Sequence, residues 1–234
     1  MIGLIAAAAG AAAVAVATTG GTPVGTTDKA AIEKIVHDYI LEHPEILPQA
    51  MERLQDRENT KAVEANRKLI ETPFEGAWEG NPDGDVVLVQ FFDYACGYCR
   101  ASLPDIDRLL REDPKLKIVY REMPVLGPDS EAAARLSLSI ATTKQNYGRF
   151  HRALYGNGRP DEAARAKVAA AFNVSATVTE NSLIEEELAT NQQLQNALRI
   201  TGTPTWIVGD RMLSGAVGYD ALKAAIAEVR AKKG

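Results

Sequence analysis

The chain has 234 residues, 46% of them hydrophobic and 24% charged, with a formal net charge of −5. That composition describes an ordinary globular protein, either one moderate domain with an appendage or two small domains, and excludes disordered and fibrous classes. No basic run is longer than Arg67-Lys68 or Lys232-Lys233, which excludes a nucleic-acid binder, since that needs Lys and Arg clustered on one face.

Residues 2–17 are apolar or Gly and end in Ala15-Val16-Ala17, a small-x-small site of the kind signal peptidase cuts. No Lys or Arg precedes the apolar run, yet the run is too short and Ala-rich to read better as a membrane anchor. We expect a cleaved signal sequence at 1–17, which exports the protein to a compartment where disulfides form and exchange. The Gly- and Thr-rich residues 18–27 read as a linker.

Asp28 is placed to cap a helix in which Ile32, Ile35, Val36, Tyr39 and Ile40 share one face, and His43-Pro44 ends it. A second helix starts near Glu45, with Ile46, Leu47, Ala50, Met51 and Leu54 on one side. From Gln55 to Lys68 charge dominates, and Ala62, Ala65 and Leu69 form only a thin stripe. Such a helix is a solvated spacer or half of an interface with another chain. We expect 28–71 to be an N-terminal helical arm and 72–234 the main domain.

After the Asn81-Pro82-Asp83-Gly84 turn, Val86 to Phe92 is a dense β-branched and aromatic run, the mark of a central strand buried on both faces. Cys96-Gly97-Tyr98-Cys99 follows, then a helical stretch carrying Leu103, Ile106, Leu109 and Leu110, then a second strand at Leu116 to Tyr120. That order is a βαβ unit. Residues 128–198 read as helical throughout, broken near Gly148, Gly156–Pro160 and Asn173–Thr179. Thr205 to Val208 and Met212-Leu213 flank Gly209-Asp210, a two-residue hairpin turn. A final helix carries Tyr219, Leu222, Ile226 and Val229.

The chain has only two cysteines, too few for a disulfide scaffold, and its three histidines lie far from them in sequence, so no zinc site is expected. A CxxC where a buried strand turns into a helix has a different use. The helix N-terminus favours negative charge and so the thiolate of Cys96, the attacking species in disulfide exchange. One helical turn on, Cys99 can close the disulfide or resolve a mixed one. We therefore expect Cys96 to be the exposed nucleophile and Cys99 the buried resolving thiol. Gly202-Thr203-Pro204-Thr205 stands just before the hairpin. A cis Thr203–Pro204 bond there turns the chain beside the CxxC and leaves backbone groups free for an extended substrate. An ordinary trans proline is the plainer alternative. The three histidines read as surface or packing residues, and Trp78 and Trp206 as packing. The exposed ring of Tyr98 is a candidate contact for apolar client segments.

The run Phe91 to Cys99, the helical insertion and the Gly-Thr-Pro before a hairpin, in that order, resemble the DsbA-type thioredoxin-fold family over residues 74–231. Ile35 to Glu58 is similar to the N-terminal region of suppressor-of-copper-sensitivity C proteins. The resemblance implies an α/β thioredoxin-like fold with a helical insertion at about 128–198, preceded by the arm. It implies a periplasmic thiol–disulfide oxidoreductase with no cofactor and no metal, protein substrates, and a membrane partner that sets its redox state. Some relatives carry an oligomerising arm, so a homo-oligomer, a trimer by resemblance, is expected. Gly97-Tyr98 matches the dipeptide of the bacterial disulfide isomerase, whereas the strong oxidase carries Pro-His. Thr203 also resembles the isomerase. The family often buries an acid six residues before the first cysteine; Gln90 stands there, and Asp93 is the candidate to take over, against the plainer reading of an exposed loop acid. An isomerase or reductase leads. A dithiol oxidase is the alternative, a copper-binding thiol protein follows because paired thiolates suit Cu(I), and a structural disulfide is last.

Overall fold

A computed structural model describes residues 26–143, 146–178 and 181–233, with side chains from Lys29 onward. The expected signal sequence and most of the expected linker lie outside the described residues. These fall into two compact units, the first ending at Met51 and the second starting at Glu52.

The first unit holds α1 (Thr26–Glu42) and the start of α2 (Ile46–Glu71). Helix α1 begins ahead of Asp28 and stops at the expected place, before His43-Pro44. Its apolar residues are uncovered: Ile35 is 67% exposed and Tyr39 53%.

The second unit is an α/β domain with one five-stranded sheet. In chain order it contains β1 (Trp78–Gly80), β2 (Val86–Phe92), α3 (Gly97–Ala101), α4 (Leu103–Glu112) and β3 (Leu116–Glu122). The insertion is α5 (Pro128–Thr142), α6 (Tyr147–Gly156), α7 (Glu162–Ala171) and α8 (Ser182–Ala197), and β4 (Thr205–Val208), β5 (Arg211–Ser214) and α9 (Tyr219–Lys233) complete the domain. The strand order is β1-β3-β2-β4-β5, with β2 parallel to β3 and the other pairs antiparallel. This is the thioredoxin-like arrangement expected, and β2 is its buried centre. The edge strand β1 has no counterpart in the sequence reading: three residues are too few to show alternation. Gly209, at φ +56°, makes the first turn of the β4–β5 hairpin. Among the described residues no helix is long and apolar enough to cross a membrane.

Alternation along the strands divides the core. Val86, Leu88 and Phe92 of β2 and Leu116, Ile118 and Tyr120 of β3 pack in one layer with α4, α9, the insertion and both cysteines. Val89, Phe91, Val119 and Ile207 form the other layer with Leu194 of α8, with Leu198 just after it, and with Val63 and Ile70 of α2. The segment 55–68 is thus not a solvated spacer. Val63 and Ile70 are 1% and 0% exposed, whereas Leu69 of the expected stripe is 44% exposed. Two apolar residues seven apart, nearly two helical turns, suffice because the sheet beneath supplies the rest of the surface. The α2 end is fixed by Arg121, only 2% exposed, whose guanidinium donates to the carbonyls of Leu69, Ile70 and Thr72 and pairs with Glu187 of α8. These are the carbonyls that a helix C-terminus leaves without intrahelical partners.

Within the insertion, Gly148 does not break a helix; it lies inside α6. A Cβ there would come within 2.0 Å of the Glu79 carboxylate, which accepts from Tyr120 and Arg152, so glycine makes room for that pair. The break falls before α6, where Asn146 caps its first turn.

Ile70→Ala should lower the stability of the second unit by about 3 kcal/mol, as for other buried large-to-small changes. Chemical denaturation measures it; an unchanged midpoint would return residues 55–71 to the role of spacer.

Candidate active site

Strand β2 delivers the chain to a tight loop at Asp93–Ala95 before α3. Asp93 Oδ1 accepts the Ala95 N–H at 2.7 Å, and the Asp93 carbonyl accepts the Cys96 N–H at 3.0 Å. Cys96 is the N-cap of α3, with extended backbone (φ −78°, ψ 117°). Its sulfur accepts the Cys99 N–H at 3.4 Å and donates to the Thr203 carbonyl at 3.3 Å. The expected single helix is two: α3 ends at Ala101 and α4 begins at Leu103. Pro104 explains the break, since it has no N–H to give the Arg100 carbonyl and its ring crowds that carbonyl.

Cys96 is 6% exposed and Cys99 0%. The expectation of an exposed Cys96 is corrected: its sulfur is open only by comparison with Cys99, because the Thr203 segment covers it. Burial first, and then the neighbouring Cys96, push the Cys99 thiol up to about 12. The Thr203–Pro204 bond is cis, as expected from its place before the hairpin; Pro204 is buried and Thr203 half-buried. Tyr98 is 71% exposed on the outer side of α3. The structure therefore brings Cys96, Cys99 and Thr203 into direct contact and leaves Tyr98 at the rim.

Asp93 is not an exposed loop acid. It is 2% exposed, and both its oxygens are fully engaged. Oδ1 also accepts from Ser130 Oγ at 2.6 Å, and Oδ2 accepts the N–H groups of Val125 and Leu126 at 2.8 and 3.0 Å. One carboxylate thus ties the CxxC loop to the segment after β3 and to α5. Gln90 is wholly buried, and neither its amide oxygen nor its nitrogen has a hydrogen-bond partner.

Two buried titratable groups nearby had no signal in the sequence. Glu122 is the last residue of β3, two residues beyond the expected strand end at Tyr120; it is 1% exposed. His151 on α6 is 0% exposed, the packing residue of its two expected readings, and Phe92, Tyr94, Tyr120 and Tyr155 surround its ring at 4.6–5.3 Å between centroids. Its Nδ1 lies 3.0 Å from Tyr94 OH. His37 is exposed and His43 half-buried. Trp206 is fully buried and donates to the Gly215 carbonyl, a packing residue as expected. Among the described residues no group of three or more His, Cys, Asp or Glu side chains is arranged to hold a metal ion.

The fold agrees with that of the chain's relatives. Residues 87–227 match the DSBA-like thioredoxin domain, and residues 28–60 match the copper resistance protein ScsC N-terminal domain. A linker-deletion mutant of Proteus mirabilis ScsC superposes with a TM-score of 0.71 at 25% identity, over 91% of this chain and 100% of its own. The thiol-disulfide exchange protein alpha-DsbA2 of Wolbachia pipientis gives 0.68 at 26% identity, over 75% of this chain and 98% of its own. A periplasmic thioredoxin-like protein from Salmonella enterica serovar Typhimurium gives 0.64 at 26% identity, over 69% of this chain and 94% of its own. Among curated proteins none matches significantly. With a matched domain spanning more than half its length, the chain belongs to the DsbA-like thioredoxin-domain family and is a thiol–disulfide oxidoreductase.

Proposed function

We propose that this oxidoreductase is an exported, periplasmic protein disulfide isomerase or reductase, with Cys96 as nucleophile and Cys99 as resolving thiol. The observation that carries the assignment is the difference between the two sulfurs. Cys96 retains some exposure at the start of α3, whereas Cys99 has none and burial pushes its thiol up to about 12. A client disulfide can reach only Cys96. The Cys96 thiolate attacks one client sulfur, the Cys96–client bond forms, the client S–S bond breaks, and the other client sulfur leaves as thiolate. The client thiolate can then attack elsewhere in the client, which isomerises it. Alternatively Cys99 attacks Cys96 and releases the client reduced, with Cys96–Cys99 oxidised.

Tyr98, Thr203 and Pro204 are the proposed substrate contacts. Tyr98 offers an exposed aromatic face, and the Thr203 carbonyl is already within reach of the Cys96 sulfur. The Gly97-Tyr98 dipeptide and Thr203 before the cis proline favour the isomerase or reductase direction over the oxidase. The apolar segment at 2–17 supports export, after which a membrane redox partner would keep the pair reduced.

The arm supports self-association. Ile35, Leu47 and Met51 are 67%, 53% and 72% exposed, and burying one such side chain is worth about 1.5–3 kcal/mol. We propose a homo-oligomer through the arm, 28–71, and a trimer from its likeness to the ScsC N-terminal domain.

Three measurements check this reading. Brief alkylation of the reduced protein at neutral pH should label Cys96 and leave Cys99 unlabelled; preferential labelling of Cys99 reverses the roles. Acid trapping from cells should find the pair mostly reduced, and a mostly oxidised pair favours the dithiol oxidase. Light scattering should give an oligomer that Ile35→Glu with Leu47→Glu converts to a monomer; a monomeric wild type removes the assembly.

A further inference from the structure

Gln90 cannot accept a proton, and Asp93 spends both oxygens on four donors. The thiol–disulfide step nevertheless has a proton to place. When Cys99 attacks the mixed disulfide, the Cys96–Cys99 bond forms, the Cys96–client bond breaks, the client leaves as thiolate, and the Cys99 proton must go to a base.

The layer that holds Cys99 contains one connected set of buried polar side chains. Glu122 pairs in register with Phe92, on the sheet face that carries the cysteines. Its Oε1 accepts from Ser137 Oγ at 2.9 Å and from Tyr147 OH at 2.7 Å, while Oε2 has no partner. Ser137 Oγ is 2.9 Å from Tyr94 OH, which is 3.0 Å from His151 Nδ1; His151 Nε2 has no partner. Tyr155 links this set to the cysteines. Its hydroxyl donates to the Asp93 carbonyl, which also accepts the Cys96 N–H, and its ring lies 4.9 Å from those of His151 and Tyr94.

The hydrogens along this chain can run in either direction. With Glu122 ionised, His151 Nδ1–H donates to Tyr94, Tyr94 to Ser137, and Ser137 to Glu122. In the opposite order Glu122 O–H donates to Ser137, Ser137 to Tyr94, and Tyr94 to Nδ1, with the imidazole hydrogen on Nε2. The second order holds one proton more. It enters at Nε2 and leaves a neutral carboxyl at Glu122 without moving a heavy atom.

We propose that His151–Tyr94–Ser137–Glu122 is the proton conduit of the thiol–disulfide step, receiving at Nε2 the proton shed by Cys99 and holding it on Glu122. This rests on Cys99 being the resolving thiol. Burial, and then the charge of Arg152, hold His151 well below the usual imidazole range, so it stays neutral in both orders. Burial first, with the charge of Glu187 adding, pushes Glu122 up to about 7, which narrows its gap to the Cys99 thiol. The cations around the carboxyl are engaged elsewhere: Arg121 by Glu187, and Arg135 by Glu131 and Glu185. Glu122 also borders a groove of about 410 Å³ with Val125, Arg135 and Leu188, the side by which the proton leaves.

The test is a single-turnover reaction of the reduced full-length protein with a symmetric disulfide of a fluorescent cysteine peptide. Formation of the Cys96–peptide mixed disulfide and release of the peptide are followed separately across pH. Wild-type release should rise with pH and level off above about 7, as Glu122 becomes a carboxylate. Glu122→Gln should be about tenfold slower at the plateau, below the usual gain from a positioned proton acceptor, and should keep rising because solvent hydroxide alone then removes the proton. Tyr94→Phe and Ser137→Ala, which interrupt the chain but keep Glu122, should lose the plateau as well. A plateau retained in Glu122→Gln with the same midpoint overturns the conduit while leaving the cysteine assignment intact. Failure of the wild type to form any mixed disulfide at Cys96 overturns that assignment, and the conduit with it.

Discussion

The Asp93 carboxylate is the constraint on which the site depends. It lies where three separate stretches converge: the loop entering the CxxC, the turn after β3, and the first turn of α5. Four donors from these stretches meet on one buried carboxyl, whose two oxygens have the acceptor capacity to serve them all. Its carbonyl adds the Cys96 N–H and the Tyr155 hydroxyl, so the same residue sets the start of α3 and anchors α6. The helical insertion is thereby wired to the redox loop and not simply inserted between strands.

Arg121 does for the other face of the sheet what Asp93 does for this one. Neighbours in a strand point to opposite faces, so Arg121 and Glu122, adjacent in sequence, serve different layers. Arg121 closes the α2 end and draws α8 towards it, while Glu122 joins the tyrosine and serine hydroxyls behind the cysteines. Both residues lie just beyond the expected strand end at Tyr120, and both are buried with separate partners. The cost of burying each is offset only because each is hydrogen-bonded.

Strands β2 to β5, the CxxC at a helix start, the cis proline and the insertion were legible because each has a local signature: an apolar run, a cysteine spacing, an X-Pro before a hairpin, and helical periodicity between breaks. Less was legible where tertiary contact overrides local pattern. The 55–71 half of α2 reads as a spacer or interface because Val63 and Ile70, with Ala62 beside them, pack on the sheet, too few for a periodic signal. Pro104 is the one local sign of the break between α3 and α4, and the apolar spacing around it hides that sign. Asp93 reads more plainly as an exposed loop acid, and His151 as either a surface or a packing residue, since nothing adjacent in sequence announces the donors and rings that enclose them. Those partners come from β3, α5 and α6, brought together by the fold alone.

The polar groups of the cysteine layer are unevenly placed, and the unevenness has a physical sense. Gln90 sits in the centre of the sheet, between Tyr120 and Trp206, and carries no charge. The ionisable carboxyl lies at the end of β3 instead, where hydroxyls from α5 and α6 can reach it. A carboxylate at position 90 would stand in the same buried layer as Cys99 and raise further a thiol that burial already holds high, since like charges in low dielectric repel strongly. Placing it at Glu122, separated by Tyr94 and Ser137, spares the thiol that repulsion yet keeps a hydrogen-bonded link to the segment that carries the cysteines. The insertion supplies Ser137, Tyr147 and His151, so the helices that set this fold apart from a bare thioredoxin-like sheet are also what make the displaced carboxyl tolerable.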